Sequence, residues 1–183
     1  MEKVNLTTLL TLDIKEKIIC FPTDTVYGVG ALFNDIKAIE KIYQLKQRNY
    51  NKPLAILTPN KDIEKYIIDY ENAIGYINKY WPGEVTLIFK KSALIPDEVT
   101  KGLDTVAFRM PDSIIALKIL NQFGPMATTS VNISGEKELN TIAEIENKFS
   151  HLIDYLVIDE ERLSLKPSRV FDCTSGDLKI IRK

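Results

Sequence analysis

Apolar residues recur with helical spacing in several segments of the chain. Between Asp62 and Trp81, apolar or aromatic residues occupy positions 63, 67, 70, 74, 77 and 81. These steps of four and three place the side chains on one face of a helix, which Pro82-Gly83 ends. The other predicted helices are a short one within residues 1–16, one capped by Asn34 or Asp35 with apolar positions from Ile36 to Leu45, one from Asp112 or Ser113 to Phe123, and one from the capping box Thr141-Ile142-Ala143-Glu144 to Phe149.

Short apolar runs between these helices predict strands. Lys17–Phe21 has the length and β-branched content of a buried strand. In Asp104–Arg109 the period of two puts Thr105, Ala107 and Arg109 on one face, with Thr105 and Arg109 about 13 Å apart. The other predicted strands are Pro53–Leu57, Glu84–Lys90, Met126–Val131, Tyr155–Ile158 and a C-terminal hairpin of Ser168–Cys173 with Leu178–Arg182. Since no linker or internal repeat divides the chain, residues 1–183 are predicted to form one α/β domain with about seven strands.

Composition excludes several functional classes. Hydrophobic residues make up 45% and charged residues 27% of the 183 residues, and the net charge is −1, so bulk charge favours neither nucleic acid nor membrane binding. Without a long apolar run or a basic-then-apolar leader, the chain is expected to be cytoplasmic. Cys20 and Cys173 are expected to be buried reduced thiols, and the single histidine, His151, to lie outside any chemistry. A zinc site is not expected.

The segment from Phe21 to Gly30 is the most distinctive one in the chain. Pro22 ends an apolar strand, and two threonines flanking a carboxylate, an aromatic residue and a Gly-x-Gly pair follow. Such a strand end is expected to expose backbone N–H groups and to let a ligand approach the main chain closely. A tight turn with no ligand is the simpler alternative.

Cations and hydroxyls cluster at the predicted strand ends. Among the standard catalytic signatures, the Walker A, Gly-x-Gly-x-x-Gly, Gly-x-Ser-x-Gly and His-Glu-x-x-His motifs are all missing. The polar set fits an anionic, oxygen-rich ligand such as a nucleotide phosphate, and it favours a reaction driven by positioning and electrostatic stabilisation. Its members are Thr23, Thr25, Lys46, Arg48, Lys52, Thr105, Arg109, Ser130, Asn132, Ser134, Ser168 and Arg182.

Six short motifs follow one another from about residue 17 to residue 182. They are Pro22-Thr23-Asp24-Thr25-Val26-Tyr27-Gly28; Lys46-x-Arg48 followed by Lys52-Pro53-Leu54; Trp81-Pro82-Gly83 with Thr86; Arg109-x-Pro111; Ser130-x-Asn132-x-Ser134-Gly135; and Pro167-Ser168 with Ile181-Arg182. In this order they resemble the motifs of the YrdC/TsaC family of threonylcarbamoyl-AMP synthases, in its short, single-domain form.

The resemblance implies a fold and a reaction. The fold is a twisted mixed β-sheet with flanking helices and a concave, basic cavity. The reaction condenses L-threonine, bicarbonate and ATP to threonylcarbamoyl-AMP and pyrophosphate, the first step of the t6A37 modification of tRNA. The implied roles are threonine binding by Thr25, Arg109, Ser130 and Ser168, ATP binding by Arg48, Lys52, Thr105, Asn132, Asn140 and Arg182, and catalysis by Lys46 and Arg48.

The same resemblance implies the cofactor and the partners. Mg²⁺ is expected to arrive with ATP, because no carboxylate pair in the sequence is placed to hold it. A threonylcarbamoyl-transferase complex acting on tRNA is the expected downstream partner. Asn140 stands where longer relatives tend to carry a threonine, and Glu84 and Arg169 also depart from the family pattern.

Two other functions remain open on the sequence. One is an RNA-binding module that uses the same basic cavity, against which the near-neutral charge counts. The other is a carbamoyl-transfer enzyme on the same fold that uses carbamoyl phosphate. A soluble α/β domain with scattered cations is the remaining, simplest interpretation.

Overall fold

A single mixed sheet runs through the described chain, which comprises residues 1–47, 52–175 and 177–183 of a computed structural model. Within those residues it contains ten strands in the order β1-β8-β2-β3-β7-β4-β6-β5-β9-β10. The strands are β1 (Glu2–Val4), β2 (Ile19–Phe21), β3 (Gly28–Leu32), β4 (Ala55–Leu57), β5 (Val85–Lys90), β6 (Thr105–Arg109), β7 (Met126–Ser130), β8 (Tyr155–Val157), β9 (Arg169–Asp172) and β10 (Lys179–Arg182). The mixed sheet is confirmed, whereas the prediction of about seven strands is wrong.

The strands that sequence patterns missed are β1 and β3. β1 spans only three residues and pairs in parallel with β8. β3 contains Gly28 and Gly30, and glycine is depleted in strands because it has no side chain to pack. Since β3 pairs with both β2 and β7, the backbone of the Gly-x-Gly segment is engaged in the sheet. The expectation of N–H groups exposed to a ligand is therefore wrong for Gly28, Val29 and Gly30.

Six α-helices flank the sheet in the described residues. They are α1 (Leu6–Leu9), α2 (Ile36–Leu45), α3 (Tyr70–Tyr80), α4 (Asp97–Thr100), α5 (Ile114–Phe123) and α6 (Ile142–Phe149). The predicted caps are confirmed for three of them: the Asp35 side chain accepts from Ala38 N, the Ser113 side chain accepts from Ala116 N, and α6 begins with a complete capping box. These local signals succeed because each cap satisfies backbone N–H groups of its own first turn.

The helix predicted from Asp62 to Trp81 is divided. A 3₁₀ helix covers Glu64–Tyr66, and α3 begins only at Tyr70. Between them Ile67 is extended and forms a bridge with Lys91, while Ile68 N donates to Lys90 O at 2.9 Å. The chain thus joins the end of β5 for two residues, and this tertiary pairing outweighs the local helical periodicity.

The two faces of the sheet carry different residues. On one face lies the main core, with Ile56, Val106 and Phe108 fully or almost fully buried among residues of α2, α3 and α6. On the other face a smaller core joins α1 and α5 to β2 through residues such as Ile19 and Phe21. A buried side chain of this kind contributes about 1.5–3 kcal/mol to stability.

The middle of the second face is polar. Val85 and Leu87 belong to the main core, so the intervening Thr86 points to the opposite face. The same alternation applies in β6, where Val106 and Phe108 are in the main core. Thr105, Ala107 and Arg109 therefore share the second face, as predicted. The candidate site lies on this polar area.

Candidate functional site

The connection between β2 and β3, residues 22–27, is held in shape by its own threonines. The Thr23 hydroxyl donates to Val26 O at 2.7 Å and accepts from the backbone N–H groups of Thr25 and Val26 at 3.2 and 3.3 Å. It also lies 3.0 Å from the Thr25 hydroxyl. Both threonines are almost completely buried. Thr23 therefore acts as a structural residue of the connection.

This connection crosses the polar face of the sheet. Gly28 pairs with Ser130 at one end of the sheet, whereas Arg109 pairs with Leu57 towards the other end. The Arg109 side chain nevertheless donates to the Thr25 hydroxyl at 2.8 Å. The connection thus meets Arg109 across β7 and β4, the two strands that separate β3 from β6 in the sheet.

Small residues below the connection make this crossing feasible. A Cβ atom on Gly30 would lie 2.7 Å from Thr128 Oγ1 and 3.3 Å from Ala127 O. On Gly28 it would lie 3.0 Å from Thr128 Cγ2 and 3.8 Å from Thr23 Cγ2. The two glycines are therefore required by close packing against β7 and the connection.

Arg109 is the central side chain of the site. It is 5% exposed, and its guanidinium donates from Nε to Gly83 O at 2.9 Å, from Nη1 to Thr25 and from Nη2 to Asp24 Oδ1 at 2.5 Å. Burial lowers the pKa of the Arg109 guanidinium, and the neighbouring Asp24 carboxylate opposes that shift. The hydrogen bonds account for three of its five N–H groups.

A second group of contacts surrounds Ser168, just before β9. Its hydroxyl lies 2.8 Å from the hydroxyl of Thr86 on β5. Arg182 on β10 donates from Nε and Nη2 to Ser168 O at 2.8 and 2.6 Å. Because Leu87 pairs with Phe108, the register continues to bring Thr86 beside Arg109. Ser168 and Arg109 therefore lie on opposite sides of β5, at one end of the polar face.

A third group lies at the end of the sheet where β7 ends. Lys46, the C-cap of α2, is 2% exposed and donates to Ser130 O at 2.7 Å and to Asn132 Oδ1. The Ser130 hydroxyl also donates to Asn132 Oδ1, at 3.0 Å. Close to this group, Tyr27 N donates to Asn140 Oδ1 at 3.3 Å. Lys46, Ser130, Asn132 and Asn140 thus connect α2 and the turn after β7 with the start of β3.

The remaining predicted residues are less closely connected. Thr105 is partly exposed at the start of β6, far along the strand from Arg109. Lys52 is exposed, and its carbonyl accepts from the Tyr43 hydroxyl at 3.3 Å. Arg48 lies outside the described residues. These three ATP-side assignments therefore stay predictions.

Two residues that sequence reasoning left without a role, Asp24 and Thr86, contact the predicted site. Asp24 pairs with Arg109, and Thr86 contacts Ser168. Both belong to motifs quoted from the sequence, so the signal was available. Their contacts depend on how the connection crosses the sheet and on strand register, which local patterns do not encode.

Neither of two cavities bordered by described residues includes a predicted site residue. One is a narrow apolar recess lined by residues including Phe33, Tyr66 and Phe108, and the other lies beside Lys90 and Asp104. The concave basic cavity therefore stays a prediction. Within the described chain, His, Cys, Asp and Glu residues form no group of three or more that could hold a metal ion. No helix in that part of the chain is long and apolar enough to cross a membrane.

Comparison with known proteins finds similarity over nearly the whole chain. The family model for Sua5, YciO and YrdC proteins, described as "Telomere recombination", matches residues 14–183. The threonylcarbamoyl-AMP synthase of Pyrococcus abyssi is 34% identical over 169 residues, which cover 91% of this chain and 50% of that protein. That of Escherichia coli O1:K1 is 30% identical over 169 residues, covering 90% of this chain and 88% of that protein.

Solved structures agree with the fold. The crystal structure of P. abyssi Sua5 complexed with L-threonine has a TM-score of 0.91 and 30% identity, and the match covers all of this chain and 57% of that one. For E. coli YciO the TM-score is 0.83 at 23% identity, covering 97% of this chain and 88% of that one. On the family match and these relatives, the chain belongs to the Sua5/YciO/YrdC family.

Proposed function

We propose that this chain is an L-threonylcarbamoyladenylate synthase, a nucleotidyltransferase acting in the t6A37 modification of tRNA. Its substrates are L-threonine, bicarbonate and ATP, and its products are threonylcarbamoyl-AMP and pyrophosphate. The observation that carries the proposal is the buried Arg109–Thr25 contact, made by two family motifs that meet across the sheet. Relatives named for this activity, and a similar structure that contains L-threonine, support it.

Arg109 is suited to bind the α-carboxylate of threonine. Its three assigned hydrogen bonds hold the guanidinium rigidly, and two N–H groups remain for a charge-assisted contact with a carboxylate. Thr25 contacts Arg109, and Ser168 contacts Thr86 on the strand next to Arg109; both hydroxyls are at positions predicted to bind threonine. Ser130 lies at the far end of the same face and would contact the substrate from that side.

The proposed chemistry has two steps. The threonine ammonium first loses a proton to solvent, and the free amine then attacks the carbon of bicarbonate, giving a carbamate and releasing water. A carbamate oxygen then attacks the α-phosphorus of ATP, and pyrophosphate leaves. Because two anions approach one another, positive charge must offset their repulsion.

Lys46 and Arg48 are proposed to supply this charge, with Arg48, Lys52, Thr105, Asn132, Asn140 and Arg182 holding ATP. In the described chain, Lys46 is buried and linked to Ser130 and Asn132, so its charge is fixed relative to the end of β7. Mg²⁺ is proposed to accompany ATP, since the described residues do not form a metal-binding cluster. It would add charge neutralisation on the phosphates.

The proposal extends to the setting of the enzyme. Residues 1–183 act as one cytoplasmic domain, and a threonylcarbamoyl-transferase complex acting on tRNA consumes the product. The proposal also includes weak RNA binding in the predicted basic cavity.

The test is pyrophosphate release by the purified protein from ATP. We expect release with L-threonine and bicarbonate together, and a fall to background when either is omitted. Release that is independent of threonine but requires carbamoyl phosphate would replace the proposal with carbamoyl transfer. Strongly salt-dependent tRNA binding without ATP consumption would replace it with an RNA-binding module.

A further inference from the structure

In the Asp24–Arg109 pair, two opposite charges are held together with little exposure to solvent. The side chains are 12% and 6% exposed, respectively, and Asp24 Oδ1 accepts from Arg109 Nη2. Asp24 is further fixed through its backbone, since its carbonyl accepts from Ser164 N at 2.9 Å. A pair in this position is electrically neutral overall, so it adds no net charge to the site.

The second carboxylate oxygen of Asp24 is not used by this pairing. Oδ2 is buried, and none of the described residues donates a hydrogen bond to it. An ionised carboxylate offers about four acceptor positions, and a buried acceptor without a donor is costly. The pair therefore presents two unmet requirements side by side: N–H donors on Arg109 and an acceptor on Asp24.

An α-amino acid meets both requirements. Its carboxylate accepts from a guanidinium, and its amino group donates to a carboxylate. A neutral Arg–Asp pair also suits a zwitterion, because the two ligand charges are each compensated locally instead of leaving a net buried charge.

We propose that Asp24 Oδ2 accepts a hydrogen bond from the amino group of the amino-acid substrate while Arg109 binds its carboxylate. This inference rests on the proposed function and adds to it the residue that recognises the amino group. The Asp24 side chain is 12% exposed, so a ligand can reach the edge of the pair. The contact holds the nitrogen that reacts with bicarbonate in a fixed position.

The proposal distinguishes Asp24 from a residue that only orients Arg109. In Asp24→Asn the amide oxygen still accepts from Arg109, but the other position becomes an N–H₂ donor that repels an amino group. We expect L-threonine to bind the variant roughly 10- to 100-fold more weakly, the range for a hydrogen bond to a charged group. Binding of ATP should remain within about twofold.

The decisive ligand is the threonine analogue in which a hydroxyl replaces the amino group, 2,3-dihydroxybutanoate of matching stereochemistry. Calorimetric titrations of L-threonine and of this analogue would be made on the wild type, on Asp24→Asn and on Glu16→Gln. Glu16 is a matched control because its carboxylate also pairs with a cation, Lys37, but on the exposed surface. Asp24→Asn should weaken L-threonine selectively, whereas Glu16→Gln should change neither ligand.

Each outcome decides the matter. If Asp24→Asn weakens the binding of both ligands equally, Asp24 acts only through Arg109. If threonine binding is unchanged, water satisfies Oδ2. Either result overturns this inference but leaves the proposed function intact. If Asp24→Asn fails to fold, the wild type still tests it, since the analogue should bind at least tenfold more weakly than L-threonine. A wild type that neither binds threonine nor releases threonine-dependent pyrophosphate would overturn the proposed function as well.

Discussion

At the scale of single residues, the site depends on one buried pair of opposite charges. Arg109 and Asp24 are both largely buried, and each is the other's opposite charge. Removing one member of such a pair leaves an uncompensated charge, which typically costs about 3–5 kcal/mol. A substitution of either Asp24 or Arg109 therefore affects both the stability of the chain and its candidate site.

Arg109→Ala should lower the free energy of unfolding by about 3–5 kcal/mol and raise the threonine KM at least tenfold. Adding Asp24→Asn should recover part of the stability, because it removes the unpaired charge, but should not recover threonine binding. Urea unfolding and pyrophosphate-release kinetics would measure the two effects. A double variant no more stable than Arg109→Ala would contradict this account of the pair.

His151 provides the opposite case. It is exposed in the turn after α6 and is predicted to lie outside the chemistry. His151→Ala should leave both kcat and KM within about twofold, as for most surface substitutions. A loss of activity above tenfold would require a catalytic role for this side chain.

At the scale of secondary-structure elements, sequence patterns succeeded where the deciding interactions are local. The starts of α2, α5 and α6 follow from capping side chains within each first turn. β3 was missed because its glycines are explained by Thr128 on a strand about a hundred residues away. For the site, the cation and hydroxyl types were predictable, whereas the Asp24–Arg109 pairing required the path of the connection across the sheet.

Substitution by alanine should have opposite effects on stability at two glycines. Gly30→Ala places a Cβ 2.7 Å from Thr128 Oγ1, and this overpacking should destabilise the chain by about 1–3 kcal/mol. Gly75 lies within α3, and a methyl group added there would meet nothing within 4 Å, so Gly75→Ala should stabilise by about 0.5–1 kcal/mol. Thermal unfolding of the two glycine variants would test both predictions. A destabilised Gly75→Ala, or a neutral Gly30→Ala, would contradict the packing described here.

At the scale of the whole molecule, burial of weak acids makes stability sensitive to alkaline pH. Burial raises the pKa of Cys20 above its usual range and, with Asp172 adding to the effect, raises that of Cys173 from 9.0 to about 11. Burial also raises the pKa of Tyr27. The folded chain keeps these groups neutral at pH values where the unfolded chain ionises them.

The sign of the effect follows from linkage. The raised pKa values of the two cysteines contribute stability that is fully present below about pH 9 and is lost as pH rises towards the folded-state value. For Tyr27 the loss begins above its ordinary pKa of 10.0. The free energy of unfolding should therefore decline between pH 9.0 and about pH 11 in urea titrations. Cys173→Ser should make that decline shallower. A free energy that is flat over this range would contradict the prediction.

The pairing of β2 with β8 has a consequence for synthesis of the chain. Ile18 N donates to the Asp154 side chain across 136 residues, and β2 lies directly beside β8 in the sheet. At a translation rate of about 5–20 residues per second, β8 emerges roughly 7 to 27 s after β2. Throughout that interval the nascent chain carries an uncovered strand edge, of the kind that promotes aggregation. Folding on the ribosome must therefore wait for β8, and the yield of native protein should depend on chaperones that shield this edge.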